Sequence, residues 1–463
     1  MDIVVYSLSG LSILLLIGKY LRMHVGFFQK IFLPSSVAAG LIGLIIMQIL
    51  LKYDGSEMLD SVKNVWSDCP GFLINIVFAT LFLGRKIPKL STVWEVGGVQ
   101  VVYGQIVGWG QYVIGIGLVL ILLGPLFNVN PMMGAIIEIG FEGGHGTAGG
   151  LAETFEELDW EEGKDLALGS ATVGVFFGVL VGMVLINIAS RRGRTQILQD
   201  PKTITPDILQ GVPEKSKRES AGILTTSVDS IEPLALHLSV VGLAIFLGYI
   251  LLQILIAIEN AILLPIGLPK IMASFPLFPL AMLGGVFIQK MFDIFDKRDI
   301  LDHALMQRLH GIALDFLIVS ALATISIQAI WAEIIPFSTL MVFGISWNVF
   351  CVMYLAPRLF WNAVFERSIA DFGQSMGVTA TGLVLLRVVD PKSETVAIEA
   401  FGYKQLIHEP ILGGGLFTGA AVTLIYSYGP VPILLFTAGM IFFWLVFYRF
   451  AFYKKRQRYL KAN

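Results

Sequence analysis

Run after run of this chain lasts the length of a membrane crossing with hardly a charge. An α-helix needs about 20 apolar residues to span about 30 Å of hydrocarbon, and in lipid only helices or closed barrels satisfy their own backbone. Such runs fall at 3–21, 31–51, 71–84, 97–126 and 166–190, and again at 233–258, 271–289, 309–331, 335–357, 401–428 and 431–448. They predict an all-α polytopic membrane protein with about 11 transmembrane helices, the 71–84 run being short. Only 14% of the 463 residues are charged, where a soluble domain carries about 25%. Nothing in the composition suggests a nucleic-acid partner. Cys69 and Cys351 are too few for a disulfide framework or a cysteine metal site. The chain opens Met1-Asp2 without a basic n-region or a small-residue cleavage site, so the first run is expected to stay as a helix.

Two segments, about 131–152 and 368–386, are apolar enough for membrane depth but too broken by glycine to form one straight helix. They carry matching sequence 232 positions apart: Thr147 faces Thr379, Ala148 faces Ala380, and Gly150 faces Gly382. Both are read as re-entrant hairpins. With the N-terminus outside and each hairpin returning to its side of entry, 28 of the 32 lysines and arginines, Lys404 among them, fall in inner loops. Only Lys52, Lys63, Lys164 and Lys270 remain outside, as the positive-inside rule requires. The C-terminus is then cytoplasmic, and the first hairpin dips in from outside while the second dips in from the cytoplasm. The halves become inverted repeats, 1–190 and 232–430, joined by a cytoplasmic linker at 191–231 and followed by an extra helix and basic tail at 431–463.

A duplicated, interrupted segment points to the substrate site of a secondary transporter. Glycine brings the backbone close to a ligand, half-helix N-termini attract carboxylates, and freed carbonyls coordinate sodium. The candidate substrate and ion ligands are Gly143, Gly144, His145, Gly146 and Thr147 in the first hairpin, with Gly373, Ser375, Gly377, Thr379 and Thr381 in the second. Small residues also allow tight helix packing, but two symmetry-related runs favour a site. Glu138 and Glu142 share a helix face at i, i+4. With Asp315 and Asp371 they are candidate coupling carboxylates, because ionisable groups at membrane depth are functional candidates by default. His145 could bind substrate, relay protons or serve as a structural hydrogen-bonder. Arg387 could pair a substrate carboxylate but reads first as an interfacial anchor, and Asn75, Gln105 and Gln111 could supply amides to the site or link helices. Gly413-Gly414-Gly415 permits close packing or unwinding, packing being the safer expectation. His408-Glu409-Pro410 is no zinc motif, and neither H-E-x-x-H nor G-x-x-x-x-G-K-[ST] occurs. No enzyme is expected and no cofactor; an ion gradient is the expected energy source.

Several stretches resemble the bacterial sodium/glutamate symporter family: Gly143-Gly144-His145-Gly146-Thr147, Ile114-Gly115-Ile116-Gly117, Pro131-Met132-Met133-Gly134, Val77-Phe78-Ala79-Thr80 and Ala171-Thr172-Val173-Gly174. In the second half the family pattern GxGxGATPTA is matched by 373–382, with Ser375 in place of a glycine and Ala380 in place of the proline. The resemblance implies a homodimeric, sodium-coupled carrier in the cell inner membrane. One re-entrant hairpin from each inverted repeat would sit in a mobile transport domain that moves, elevator-fashion, against a dimerisation scaffold. The expected substrate is glutamate or a related small anionic or zwitterionic amino or organic acid. Glu138 and Glu142 would repel such an anion, which leaves a proton-coupled carrier of a different solute as the alternative. An ion channel filtered by the hairpins and an intramembrane enzyme using Asp315 with Asp371 are the remaining readings.

Overall fold

The computed structural model describes residues 2–30, 33–53, 57–86, 90–197, 210–218, 220–227, 229–266, 272, 275–390 and 394–462. Among them ten helices are long and apolar enough to cross a membrane. The runs predicted to begin at 31 and 271, Lys270 and much of the 191–231 linker lie partly or wholly outside the described residues. The chain forms two compact units. One holds Met1–Pro88, Gly149–Asp159 and Pro206–Ile325; the other holds Lys89–Ala148, Trp160–Thr205 and Ser326–Asn463.

The first unit packs the helices Asp2–His24, Ser35–Tyr53, Glu57–Ala79, Pro233–Ile258, Phe278–Phe295 and His303–Ala323. The run expected at 71–84 is the end of a longer helix, Glu57–Ala79, whose opening turns carry Glu57, Asp60 and Lys63 and whose interior holds Pro70. Charge in those turns hid its length. Glycines bring backbones into contact here: a Cβ on Gly284 would lie 2.2 Å from the Ala244 carbonyl oxygen, and one on Gly285 2.4 Å from that of Ala79. Lipid gives no hydrophobic drive for helices to associate, so such close approach is what dispersion between them needs.

The second unit contains the helices Leu90–Leu118 and Ile334–Phe350, and each ends in a five-residue π-helical turn, Val119–Leu123 and Cys351–Leu355. The cause is proline, whose ring crowds the carbonyl four residues back and which has no N–H to give. The residue before it bonds five back instead, Gly124 N–H to the Val119 carbonyl ahead of Pro125 and Ala356 N–H to the Cys351 carbonyl ahead of Pro357. These prolines stand 232 positions apart, the same offset as the two glycine stretches.

Both predicted hairpins break where glycine clusters. In the first, a 3-10 turn Pro131–Ala135, capped by the Asn130 side chain, leads into Ile136–Phe141, and the helix Gly144–Gly150 restarts at Gly144 with φ 68°. In the second, Val364–Val389 is interrupted at Gly377 and Val378. Val378 has φ 60°, a left-handed conformation that β-branched residues rarely adopt. A Cβ on Gly373 would lie 2.6 Å from the Gly382 Cα, although nine residues of straight helix would separate them by about 13 Å. The chain therefore doubles back on itself.

Helix Glu162–Arg191 offers a glycine face to this hairpin. A Cβ on Gly174 would lie 2.2 Å from the Met376 carbonyl oxygen, one on Gly178 3.0 Å from the Met376 Cβ, and one on Gly182 2.6 Å from Leu385. The predicted span 401–428 proves to be two helices, Ala397–His408 and Leu416–Tyr428, with Gly413 at φ 68° and Gly414 at φ 101° between them. Unwinding, not packing, is the use of this triple glycine.

Gly174→Ala is expected to destabilise the detergent-solubilised protein by about 1–3 kcal/mol, the usual cost of overpacking, read as a lowered melting temperature. Gly242→Ala, where an added Cβ meets nothing within 4 Å, should leave it unchanged or slightly raised.

Candidate functional site

Three broken segments of the second unit converge on a buried polar centre. Glu142, at the break of the first hairpin, is 2% exposed and joins all three. Its Oε1 accepts from the Ser375 hydroxyl of the second hairpin at 2.7 Å, and its Oε2 meets His408 Nε2, at the end of Ala397–His408, at 2.7 Å. The hairpin breaks also touch directly, since a Cβ on Gly144 would lie 2.4 Å from Val378 Cγ1. One turn before Glu142, Glu138 is fully buried and accepts three hydrogen bonds. They come from the Tyr112 hydroxyl at 2.5 Å, the Thr418 hydroxyl at 2.8 Å and the backbone N–H of Gly413 at 2.8 Å. The unwound glycine stretch therefore spends one freed amide on a carboxylate.

A second cluster lies on the first limb of the second hairpin. Asp371 accepts from Gln100 Nε2 at 2.8 Å and faces Lys404 Nζ at 3.5 Å. Lys404 also donates to Gln374 Oε1 at 2.8 Å, and both ends of the Lys404–Asp371 pair are 0% exposed. Gln105 bridges Trp109 and His408, and Gln111 donates to the Ser375 carbonyl at 2.7 Å. Thr379 donates to Glu409 at 2.9 Å and accepts from Gln405.

The sequence candidates are thus divided. Glu138, Glu142, Asp371, Ser375 and Thr379 enter the network. Gly143, Gly144, Gly373 and Gly377 shape the breaks, while Thr381 packs on Gly377. Thr147 is buried, and its Oγ1 has no hydrogen-bond partner among the described residues. Gly146 is buried beside it. His145 Nε2 lies 3.0 Å from Thr172 Oγ1. Asp315 lies in the first unit, where it meets Ser36. Asn75 bonds within its own helix, to Gly71 and Phe72, and Arg387 is exposed.

Lys404 needs correction: assigned to an inner loop, it is wholly buried in a helix. With His408, Gln100, Gln374, Tyr112 and Thr418 it was missed as a site residue. The signal was present in the i, i+4 pairs Lys404–His408 and Gln405–Glu409 on a stretch read only for its length.

Apolar helices whose broken segments meet in a buried polar centre have the architecture in which secondary transporters place their ligand sites, with backbone and side chain contributing together. Residues 2–391 match the sodium/glutamate symporter family, and the chain belongs to that family. It is 29% identical over 253 residues to the sodium/glutamate symporter of Escherichia coli strain K12, covering 54% of this chain and 57% of that one. With the sodium/glutamate symporter of Haemophilus influenzae it shares 25% identity over 178 residues, 38% of this chain and 42% of the other. These matches thus span about half the length of either relative. The family match ends before Lys404, His408 and Gly413.

Because Glu142 serves both donors, Glu142→Ala should destabilise the protein by about 3–5 kcal/mol, as removal of one member of a buried pair does. The double variant Glu142→Ala/His408→Leu should recover part of the loss, and melting curves in detergent for the four members of the cycle decide it.

Proposed function

We propose that this protein is a sodium-coupled symporter for glutamate or a related small amino or organic acid, working by alternating access. The observation that carries the reading is the meeting of the two hairpin breaks, Gly144 on Val378 and Glu142 on Ser375, inside a polar centre within a chain otherwise built for lipid. Irregular backbone at membrane depth is tolerated only where protein or a cavity encloses it. Here it places carbonyls, hydroxyls and carboxylates together, the hard oxygen donors sodium takes. The buried Oγ1 of Thr147 and Oε1 of Gln111, which have no hydrogen-bond partner among the described residues, add two acceptors.

Inverted repeats are supported by position. At an offset of 232, helix Asp2–His24 falls on Pro233–Ile258, the π turn Val119–Leu123 on Cys351–Leu355, and the first hairpin on Val364–Val389. Each compact unit draws helices from both halves, the arrangement in which one bundle carries the hairpins and the other serves as a scaffold. Re-entry of each hairpin on its own side, an elevator-like movement, a homodimer, and an outer N-terminus with a cytoplasmic C-terminus complete the proposal. The objection that Glu138 and Glu142 would repel an anionic solute weakens, since Glu142 faces His408 and Glu138 already receives three donors.

Counterflow in proteoliposomes against labelled amino and dicarboxylic acids tests the reading. Uptake of glutamate or a close analogue driven by an inward sodium gradient is expected; accumulation driven by acidification alone would transfer the coupling to protons and sink it. Thr147→Ala breaks no side-chain hydrogen bond among the described residues, so its melting temperature should hold while the apparent KM for sodium or solute rises about tenfold, the worth of one hydrogen bond of about 1.4 kcal/mol.

A further inference from the structure

Lys404 does something that neutralising Asp371 does not explain. A lysine that only balanced one carboxylate would take the shortest route to it, yet Nζ sits 2.8 Å from the amide oxygen Gln374 Oε1 and 3.5 Å from Asp371 Oδ1. Apart from that ammonium, Asp371 Oδ1 has no partner among the described residues. Carboxylate and amide oxygens three residues apart on one limb of the second hairpin form a donor set for a hard cation, and the protein fills it with a side chain. The helix Leu90–Leu118 makes room, since a Cβ on Gly104 would lie 2.2 Å from Lys404 Cε. Ser375 Oγ lies 3.2 Å from Gln374 Oε1, and its single hydrogen goes to Glu142 at 2.7 Å. The ammonium, Gln374 and Ser375 thus stand in a row that ends at the contact between the hairpins.

We propose that the oxygens of Asp371 and Gln374 constitute a monovalent-cation site occupied by the tethered ammonium of Lys404, which holds the second hairpin as a coupling ion would and lowers the sodium requirement by one. The proposal rests on the symport reading above for its consequence in transport, but its binding test does not.

The test uses the full chain in detergent without solute, melted in sodium chloride and in choline chloride. Lys404→Ala should melt well below the wild type in choline chloride and regain most of the difference in sodium chloride. The added sodium response should vanish in Asp371→Asn/Lys404→Ala, which removes the carboxylate. An equal deficit in both salts, or a Lys404→Ala protein that fails to fold in both, overturns the proposal, because sodium is then unable to replace the ammonium. In proteoliposomes the ratio of sodium to solute moved should rise by one in Lys404→Ala; an unchanged ratio in an active variant also overturns it. A wild type with no sodium-driven uptake, beside a Lys404→Ala protein that sodium still rescues, would instead refute the symport reading and leave the cation site standing.

Discussion

Two hydrogen bonds to one buried carboxylate hold the centre of this protein together. Among the described residues Glu142 alone reaches all three broken segments, through Ser375 on one oxygen and His408 on the other. A lone carboxylate moved out of water costs several kcal/mol even after the protein relaxes, and its partners repay that only when geometry is good. The contact is therefore better understood as fixing which segments meet than as adding net stability. Once the two hairpin breaks are pinned by it, Val378 can be held in a left-handed conformation that its own side chain disfavours.

The breaks and the polar side chains explain one another. A helix that stops inside a membrane frees carbonyl and amide groups that lipid cannot satisfy, so other groups must come to them. Gly413 gives its N–H to Glu138, and the Ser375 carbonyl receives Gln111. The amides and hydroxyls of Leu90–Leu118 face inward for this reason: Gln100, Gln105, Gln111 and Tyr112 are each fully buried and each bonded within the centre. Sodium and a solute carboxylate would compete for the same kinds of groups, which makes such a centre responsive to its ligands.

Much of this was legible in the sequence because membrane constraints are severe. Length without charge located the long helices, and glycine with threonine located both breaks. Residues near the breaks, such as Glu142 and Ser375, were found by proximity in sequence. What escaped lies where hydropathy averages out. The stretch 401–428 is apolar enough for one span, so Lys404 and His408 were absorbed into a count, and Gly413 to Gly415 were assigned to packing. Whether a triple glycine packs or unwinds depends on what faces it, here a carboxylate from another segment, and no local pattern carries that. Asp315 shows the limit of such a pattern, because an acid in an apolar run looks the same on the sequence whatever surrounds it in the fold; here it meets Ser36 within the first unit.

The C-terminal helix and tail acquire a role when the two halves of the chain are compared. Both long helices widen into a π turn ahead of a proline, and both then leave through a non-glycine residue at positive φ, Asn128 at 54° and Ala363 at 43°. In the second half Phe360 to Asn362 lie between the helix end at Leu359 and Ala363, and the terminal carbonyls need donors. The helix Pro430–Ala451 and the tail Tyr453–Ala462 supply them: Tyr448 donates to the Leu359 carbonyl at 2.8 Å and Arg456 to that of Pro357 at 3.0 Å. Cations at a helix C-terminus are favoured by its partial negative charge as well. The extra segment thus anchors the entry to the second hairpin, the limb that carries Asp371, Gln374 and Ser375.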